Sequence, residues 1–309
     1  MKFSITYPLV RHPHHPDFLA PANVVRFARA VEAAGFDALG FTDHPAPSHK
    51  WLTRGGHDAL DPFAALAFCA AVTERIRLMP HILVLPYRNP FVVAKGIATV
   101  DVLSGGRVTL GTAVGYLRSE YAALGVDFAE RNALFDEAIE VLLGIWSTDD
   151  FEYEGRHFVA EGQTAHPTPA QSPHPPIWIG GNSRLARRRV AKYGQGWMPF
   201  PAPAALARTT RTPALETHDD LARALDELWA LVEEAGRDRA SIDVHFPNDR
   251  GGAPGGRDFE PEAWHEALDA LSALGITWCG ASVPGDDFER AIDAVAEFAE
   301  TVIQARPGR

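Results

Sequence analysis

Two cysteines, Cys69 and Cys279, are all that the 309 residues contain. Each sits in an apolar run, which argues against a disulfide framework and for buried thiols in a reducing compartment. Lysine is also scarce: Lys2, Lys50, Lys95 and Lys192 are the only four among 29 basic residues. With a net charge of −11, the chain lacks the basic face that nucleic-acid binding requires, so no nucleic-acid partner is expected. No run approaches the roughly 18 apolar residues of a membrane span. Pro8, Arg11 and three histidines interrupt the N-terminal apolar stretch, which therefore does not read as a signal peptide. A cytoplasmic protein without membrane association is the expectation. Missing too are a P-loop, a Gly-x-Ser-x-Gly elbow, a His-Glu-x-x-His helix and a Gly-x-Gly-x-x-Gly between strand and helix. Phosphate-loop NTPases, serine hydrolases, zinc proteases and ordinary nicotinamide dehydrogenases lose their support accordingly.

What is present is a foldable chain, 46% hydrophobic and 22% charged. Short β-rich runs alternate with amphipathic helical runs almost throughout. Strands are predicted at Phe3–Leu9, Ala38–Thr42, Ile76–Leu85, Val108–Val114, Ile177–Ile179, Gly196–Met198, Ile242–Phe246 and Thr277–Val283. Asp61-Pro62 and Asn89-Pro90 each place a capping side chain before a proline at the first helical position. Phe151–Val159 reads as a small hairpin turning near Glu154-Gly155, followed by the proline-rich crossover His166–Pro176. About eight βα units with no linker predict a single domain over 1–309, an α/β chain closing into a (β/α)8 TIM barrel with insertions at its C-terminal face. An open doubly wound sheet is the alternative.

In such a barrel the chemistry belongs at the C-terminal ends of the strands. Asp43-His44 follows strand two; the imidazole suits acid–base work near neutral pH, although both residues also suit a turn before Pro45. His81 lies inside strand three beside Pro80, which removes a ladder donor and points to a bulge. Gly180-Gly181-Asn182-Ser183, between strand five and its helix, reads as a phosphate cradle or a plain capped turn, with Arg184, Arg187 and Arg188 following. Arg11–His15 is read as a loop; no histidine, cysteine or carboxylate set has metal-ligand spacing, so no metal is expected.

Several segments together resemble the luciferase-like flavin and deazaflavin oxidoreductases: Leu83–Pro90, Ala94-Lys95, Leu103–Arg107, Gly115-Tyr116 through Glu120-Tyr121, Leu124-Gly125, Glu130-Arg131 and Ile177–Gly181. The similarity is nearly continuous from Ala33 to Trp197 and is strongest to the branch that uses coenzyme F420, a 5-deazaflavin. A composition typical of GC-rich genomes agrees. The resemblance implies hydride transfer between F420 and a small organic substrate; an FMN-dependent monooxygenase using oxygen and a non-catalytic flavin-binding barrel are the alternatives. It implies that Asp43 and His44 meet the ring, that His81-Ile82 forms a non-prolyl cis peptide against it, and that Ala113, Gly115, Tyr116 and Ser119 line the ring and ribityl chain. Gly180, Gly181, Asn182 and Ser183 would hold the phosphate. His44 is the leading proton handler, with His81 and His245 behind it. Tyr116 and Trp197 would form pocket walls, and the loop Asn248–Phe259 a lid. Many relatives carry glycine or serine where this chain has His81. Family members are often dimers, so a homodimer is also implied.

Overall fold

The computed structural model describes residues 1–248 and 250–306. Asp249, inside the expected lid, and the last three residues of the expected 1–309 domain lie outside the described residues. The strands are β1 (Lys2–Thr6), β2 (Ala38–Phe41), β3 (Arg77–Pro80), β4 (Leu83–Val84), β5 (Leu110–Ala113), β6 (Phe151–Glu154), β7 (Val159–Gln163), β8 (Ile177–Gly180), β9 (Gly196–Met198), β10 (Asp243–Pro247) and β11 (Trp278–Ala281). The helices are α1 (Pro21–Ala33), α2 (His49–Leu52), α3 (Pro62–Ala70), α4 (Pro90–Leu103), α5 (Arg118–Ala123), α6 (Arg131–Ser147), α7 (Arg184–Tyr193), α8 (Ala204–Thr210), α9 (His218–Glu234), α10 (Pro261–Ala273) and α11 (Phe288–Phe298).

Nine strands form one parallel sheet in the order β3-β2-β1-β11-β10-β9-β8-β5-β4, and β6 pairs antiparallel with β7 outside it. A parallel bridge from Leu78 to Val108 joins β3 to the start of the β5 segment and closes the ring. β3 and β4 are two halves of one barrel position: β3 pairs with β2, β4 with β5, and the cis peptide His81-Ile82 separates them. The ring therefore has eight positions, and the predicted single strand Ile76–Leu85 is broken where Pro80 announced a bulge. The fold is the α/β barrel expected from the alternating pattern.

Local chemistry sets the helix starts. Asp61 accepts from the Ala64 amide and Asn89 from the Phe91 amide, each with proline in the first turn. Thr217 and Asp220 form a reciprocal capping box at α9. Phe27 and Val31 of α1, Ile97 of α4, Phe135 and Leu142 of α6 and Val190 of α7 are buried between the helices and the sheet. The floor of the barrel is a separate apolar plug in which Met79, Met198, Trp178 and Trp278 meet, the two indoles edge to face at 4.9 Å. Cys69 and Cys279 are both buried. Among the described residues no helix is long and apolar enough to cross a membrane.

Candidate functional site

Three compartments open at the mouth, and His81 borders all of them. The largest holds about 540 Å³ and runs from His81, Ile82 and Ala113 past Gly115 and Tyr116 to Gly180, Gly181 and Ser183. A side compartment of about 90 Å³ is bordered by Asp43, His44, Tyr87 and Tyr116. A third, of about 320 Å³, lies between the ends of β1, β10 and β11.

The large compartment has a charged end. Ser183 caps α7, its hydroxyl accepting from the Ala186 amide at 3.1 Å, so the positive end of a ten-residue helix meets the cavity. Gly181 just before it has φ +109°, a conformation a side chain would strain, and this lets the backbone turn close to the cavity. Arg131, Arg189 and Arg211 border the same end. Arg189 is anchored by Asp136 at 2.6 and 2.9 Å. Arg131 and Arg211 have no carboxylate partner among the described residues; both lie over the Phe128 ring, at 4.1 and 5.3 Å, and Arg118 joins them at 4.8 Å. Burial lowers the Arg131 pKa and the neighbouring arginines reinforce that, against the opposing Tyr121 hydroxyl. Crowded guanidinium groups without a carboxylate partner beside a helix N-terminus make this end of the cavity electropositive.

The 90 Å³ compartment is organised by a carboxylate that the sequence motifs contained without singling out. Glu120 has no solvent exposure; it accepts from the Tyr87 hydroxyl at 2.9 Å and the Ala46 amide at 3.0 Å, and lies 3.2 Å from His44 Nδ1. Trp51 and His57 pack on the His44 ring at 4.6 and 5.0 Å. Burial, followed by the Glu120 charge among others, raises the Tyr87 pKa far above its usual range, so Tyr87 stays a donor. Because a carboxylate only accepts, His44 presents Nδ1–H to Glu120.

His81 bonds Thr6 Oγ1 through Nδ1 at 2.8 Å, and His245 bonds Ser4 Oγ through Nε2 at 2.7 Å. The two rings meet edge to face at 5.1 Å. Burial drives the His81 pKa down to about 4; burial and then His81 itself lower that of His245 well below the ordinary imidazole range. Both are neutral imidazoles at physiological pH.

The structure thus brings His81, Ile82, Ala113, Gly115, Tyr116, Gly180, Gly181, Ser183 and His245 to one cavity, with His44 and Asp43 in its annex. Four expectations need correction. Ser119 is exposed on α5 and borders none of the three compartments, because the helix turns it outward. Asn182 is buried behind the cavity wall, its amide spent on the Phe200 and Pro213 backbone. Trp197 is wholly buried, donating to the Gly181 carbonyl at 3.0 Å; Met198 and Phe200 form the wall instead. Arg184 and Arg187 pair with Glu227 of α9 rather than reaching the cradle. Asp43 borders the annex, but Arg88 grips its carboxylate at 2.6 and 2.7 Å and the Val84 amide adds 2.9 Å, so it fixes the chain beyond the cis peptide. Arg189 and Arg211 carried no signal in the sequence, since neither lies in a motif; Glu120 and Arg131 did stand in family-like segments.

A closed barrel whose mouth brings arginines and a helix N-terminus close to a buried imidazole–carboxylate pair is the arrangement in which enzymes of the (β/α)8 class carry their sites. The family model described as luciferase-like monooxygenase matches residues 1–248, and the chain belongs to that family. It is an oxidoreductase barrel of a family with both F420-dependent and FMN-dependent members. An uncharacterised protein of Mycobacterium tuberculosis is 33% identical over 233 residues, covering 72% of this chain and 75% of the relative. An F420-dependent glucose-6-phosphate dehydrogenase of Nocardia farcinica is 33% identical over 58% of this chain and 53% of its own length. An FMNH2-dependent dimethylsulfone monooxygenase of Pseudomonas putida is 36% identical over 40% of this chain and 34% of its own. In fold, the monooxygenase RslO1 of Streptomyces bottropensis superposes with a TM-score of 0.82 at 21% identity over 98% of this chain and 99% of its own. The coenzyme F420-dependent tetrahydromethanopterin reductase of Methanopyrus kandleri gives 0.73 at 17% over 98% of both chains.

Proposed function

We propose that this protein is an F420-dependent oxidoreductase acting on a small organic substrate. The observation that carries the choice of cofactor is the strip of unpaired arginines, Arg131, Arg211 and the exposed Arg118, that leads outward from the α7 N-terminus around Phe128. A single terminal phosphate needs only the cradle. A tail that continues past its phosphate into further anionic groups makes use of the whole strip. Ile82, Ala113 and Gly115 border the large compartment, where the ring would lie.

Bound at this site, the deazaflavin supplies hydride transfer. The remaining work falls to the chain. Gly181, Ser183, Arg131 and Arg189, which line one end of the cavity, would hold the cofactor's phosphate, and the His81-Ile82 segment would lie beside its ring. His44, oriented by Glu120, takes or gives a proton at Nε2 at the annex end of the cavity. Tyr87 and the Ala46 amide keep the Glu120 carboxylate in place. By family resemblance we place the protein in the cytoplasm as a homodimer; light scattering at micromolar concentration checks the oligomeric state.

The FMN-dependent reading uses the same cradle, so a binding competition separates the two. F420 and FMN are titrated against the purified protein, read by fluorescence quenching. F420 is expected to bind at least about tenfold tighter, and the variants Arg118→Ala and Arg211→Ala to weaken F420 while sparing FMN. Equal or tighter FMN binding overturns the cofactor assignment.

A further inference from the structure

Asn182 stands in the turn that leads into α7, yet it does not border the large cavity. It is 3% exposed, and its polar atoms are committed to one neighbouring segment. Nδ2 donates to the Phe200 carbonyl at 2.9 Å and to the Pro213 carbonyl at 3.3 Å, Oδ1 accepts from the Phe200 amide at 3.0 Å, and the backbone amide donates to Thr212 Oγ1 at 3.1 Å. Between these anchors the chain leaves β9, forms α8 and returns through Arg211 and Thr212. Two backbone bonds between Ala202 and Leu215, at 2.8 and 3.0 Å, close the base of this excursion. Phe200, Thr210, Arg211 and Thr212 border the large cavity. Arg211 ends α8 at φ 55° and ψ 39°, a left-handed conformation that a residue with a side chain keeps only where its surroundings hold it.

We propose that Asn182 is a positioning residue: by tying both legs of segment 200–213 to the turn before α7, it holds the Arg211 guanidinium at the cavity edge for a ligand that carries more than one anionic group. The inference deepens the reading above and rests on it only in taking the cofactor tail as that ligand. Arg211 is exposed and has no carboxylate partner among the described residues; its guanidinium lies 5.3 Å from the Phe128 ring. A guanidinium on a loose surface segment would sample many positions, and a ligand would have to order it on binding. Three side-chain bonds and one backbone bond at a buried residue order the segment beforehand. α8 cannot do so alone, since seven residues make too short a helix to persist without tertiary contacts. The residue type matters because an amide side chain donates and accepts at once, and so takes both the carbonyl and the amide of Phe200. The turn itself is fixed in place: Arg187 of α7 donates to the Asn182 carbonyl at 2.7 Å and pairs with Glu227 of α9.

The test is a double-mutant cycle between Asn182→Ala and Arg211→Ala on the purified full-length chain. Inorganic triphosphate and F420 are the multiply charged probes and FMN the singly phosphorylated one, read by calorimetry for triphosphate and by fluorescence quenching for the other two. Each single variant is expected to weaken triphosphate and F420 about tenfold, the double variant no more than Arg211→Ala alone, and FMN to keep its affinity throughout. Thr212→Val, which removes the acceptor of the Asn182 amide, should weaken triphosphate in the same way, and Thr212→Ser should bind it like the unaltered chain; this pair carries the test if Asn182→Ala does not fold. Limited trypsin digestion without any ligand reads the segment itself. Arg208 is exposed on α8, and cleavage after it should be at least about tenfold faster in Asn182→Ala. Multiplied losses in the double variant, an equal loss of FMN affinity, unchanged cleavage, or no triphosphate binding by the unaltered chain would each overturn the proposal. Because triphosphate carries no ring, an F420 titration that failed alone would sink the cofactor assignment and leave the role of Asn182 standing.

Discussion

Between β5 and β9 the barrel mouth is lined by arginine and by a helix N-terminus; between β10 and β2 it is lined by imidazole and hydroxyl groups. In the first half Arg131 and Arg211 lie over the Phe128 ring with no carboxylate partner among the described residues, while Arg189 is held by Asp136. In the second half His81 bonds Thr6, His245 bonds Ser4, and both imidazoles stay neutral. On the proposed function the charged half would hold a phosphorylated group and the neutral half would face the reacting atoms, so substitutions in the two should fail in different ways.

The largest effect is expected at the junction. His44→Ala should lower kcat by about 10²- to 10⁴-fold with cofactor affinity nearly unchanged, as measured by steady-state kinetics and a parallel titration. An equal loss in cofactor binding would mean that His44 is a wall and not a proton handler. Arg88→Met would leave the Asp43 carboxylate buried without its cation. A loss of about 3–5 kcal/mol in unfolding free energy is expected by denaturant titration. No loss would remove the structural role given to that pair.

The neutral half should reveal itself through pH. His81 has a folded pKa of about 4, below the unfolded value near 6.5. The unfolded chain therefore binds the extra proton between those values. Stability is complete above about pH 6.5, falls as pH drops toward 4, and levels off below; the His81 share is up to about 3 kcal/mol. His245, displaced in the same direction, steepens the slope. His81→Gln should flatten it in pH-dependent unfolding; an unchanged slope would mean that His81 titrates alike in the folded and unfolded chain. Smallest is the binding half: Arg211→Ala should weaken cofactor binding about tenfold, with kcat at saturation unchanged.

The barrel itself was readable in the chain. Strand and helix periods, the Asp61-Pro62 and Asn89-Pro90 caps and the proline beside His81 survive into the structure with boundary shifts of a residue or a few. The short helices α2, α5 and α8 were not anticipated, because four to seven residues carry too little periodicity to stand out from a loop. The hairpin was placed correctly but extends to Gln163, since backbone pairing continues past the apolar run.

What the sequence determined alone is the ring of parallel strands, the glycine pair before α7 and the presence of histidines at strand ends, because hydrophobic period and turn chemistry are local properties. Only the tertiary structure decided which of those residues meet. Burial of Glu120 beside His44, 76 positions away, and the turning of Ser119, Asn182 and Trp197 away from the cavity depend on how helices dock on the barrel. So does the gathering of Arg118, Arg131, Arg189 and Arg211 from α5, α6, α7 and the end of α8. Proximity across the fold is set by packing of distant segments, and no stretch of sequence contains it.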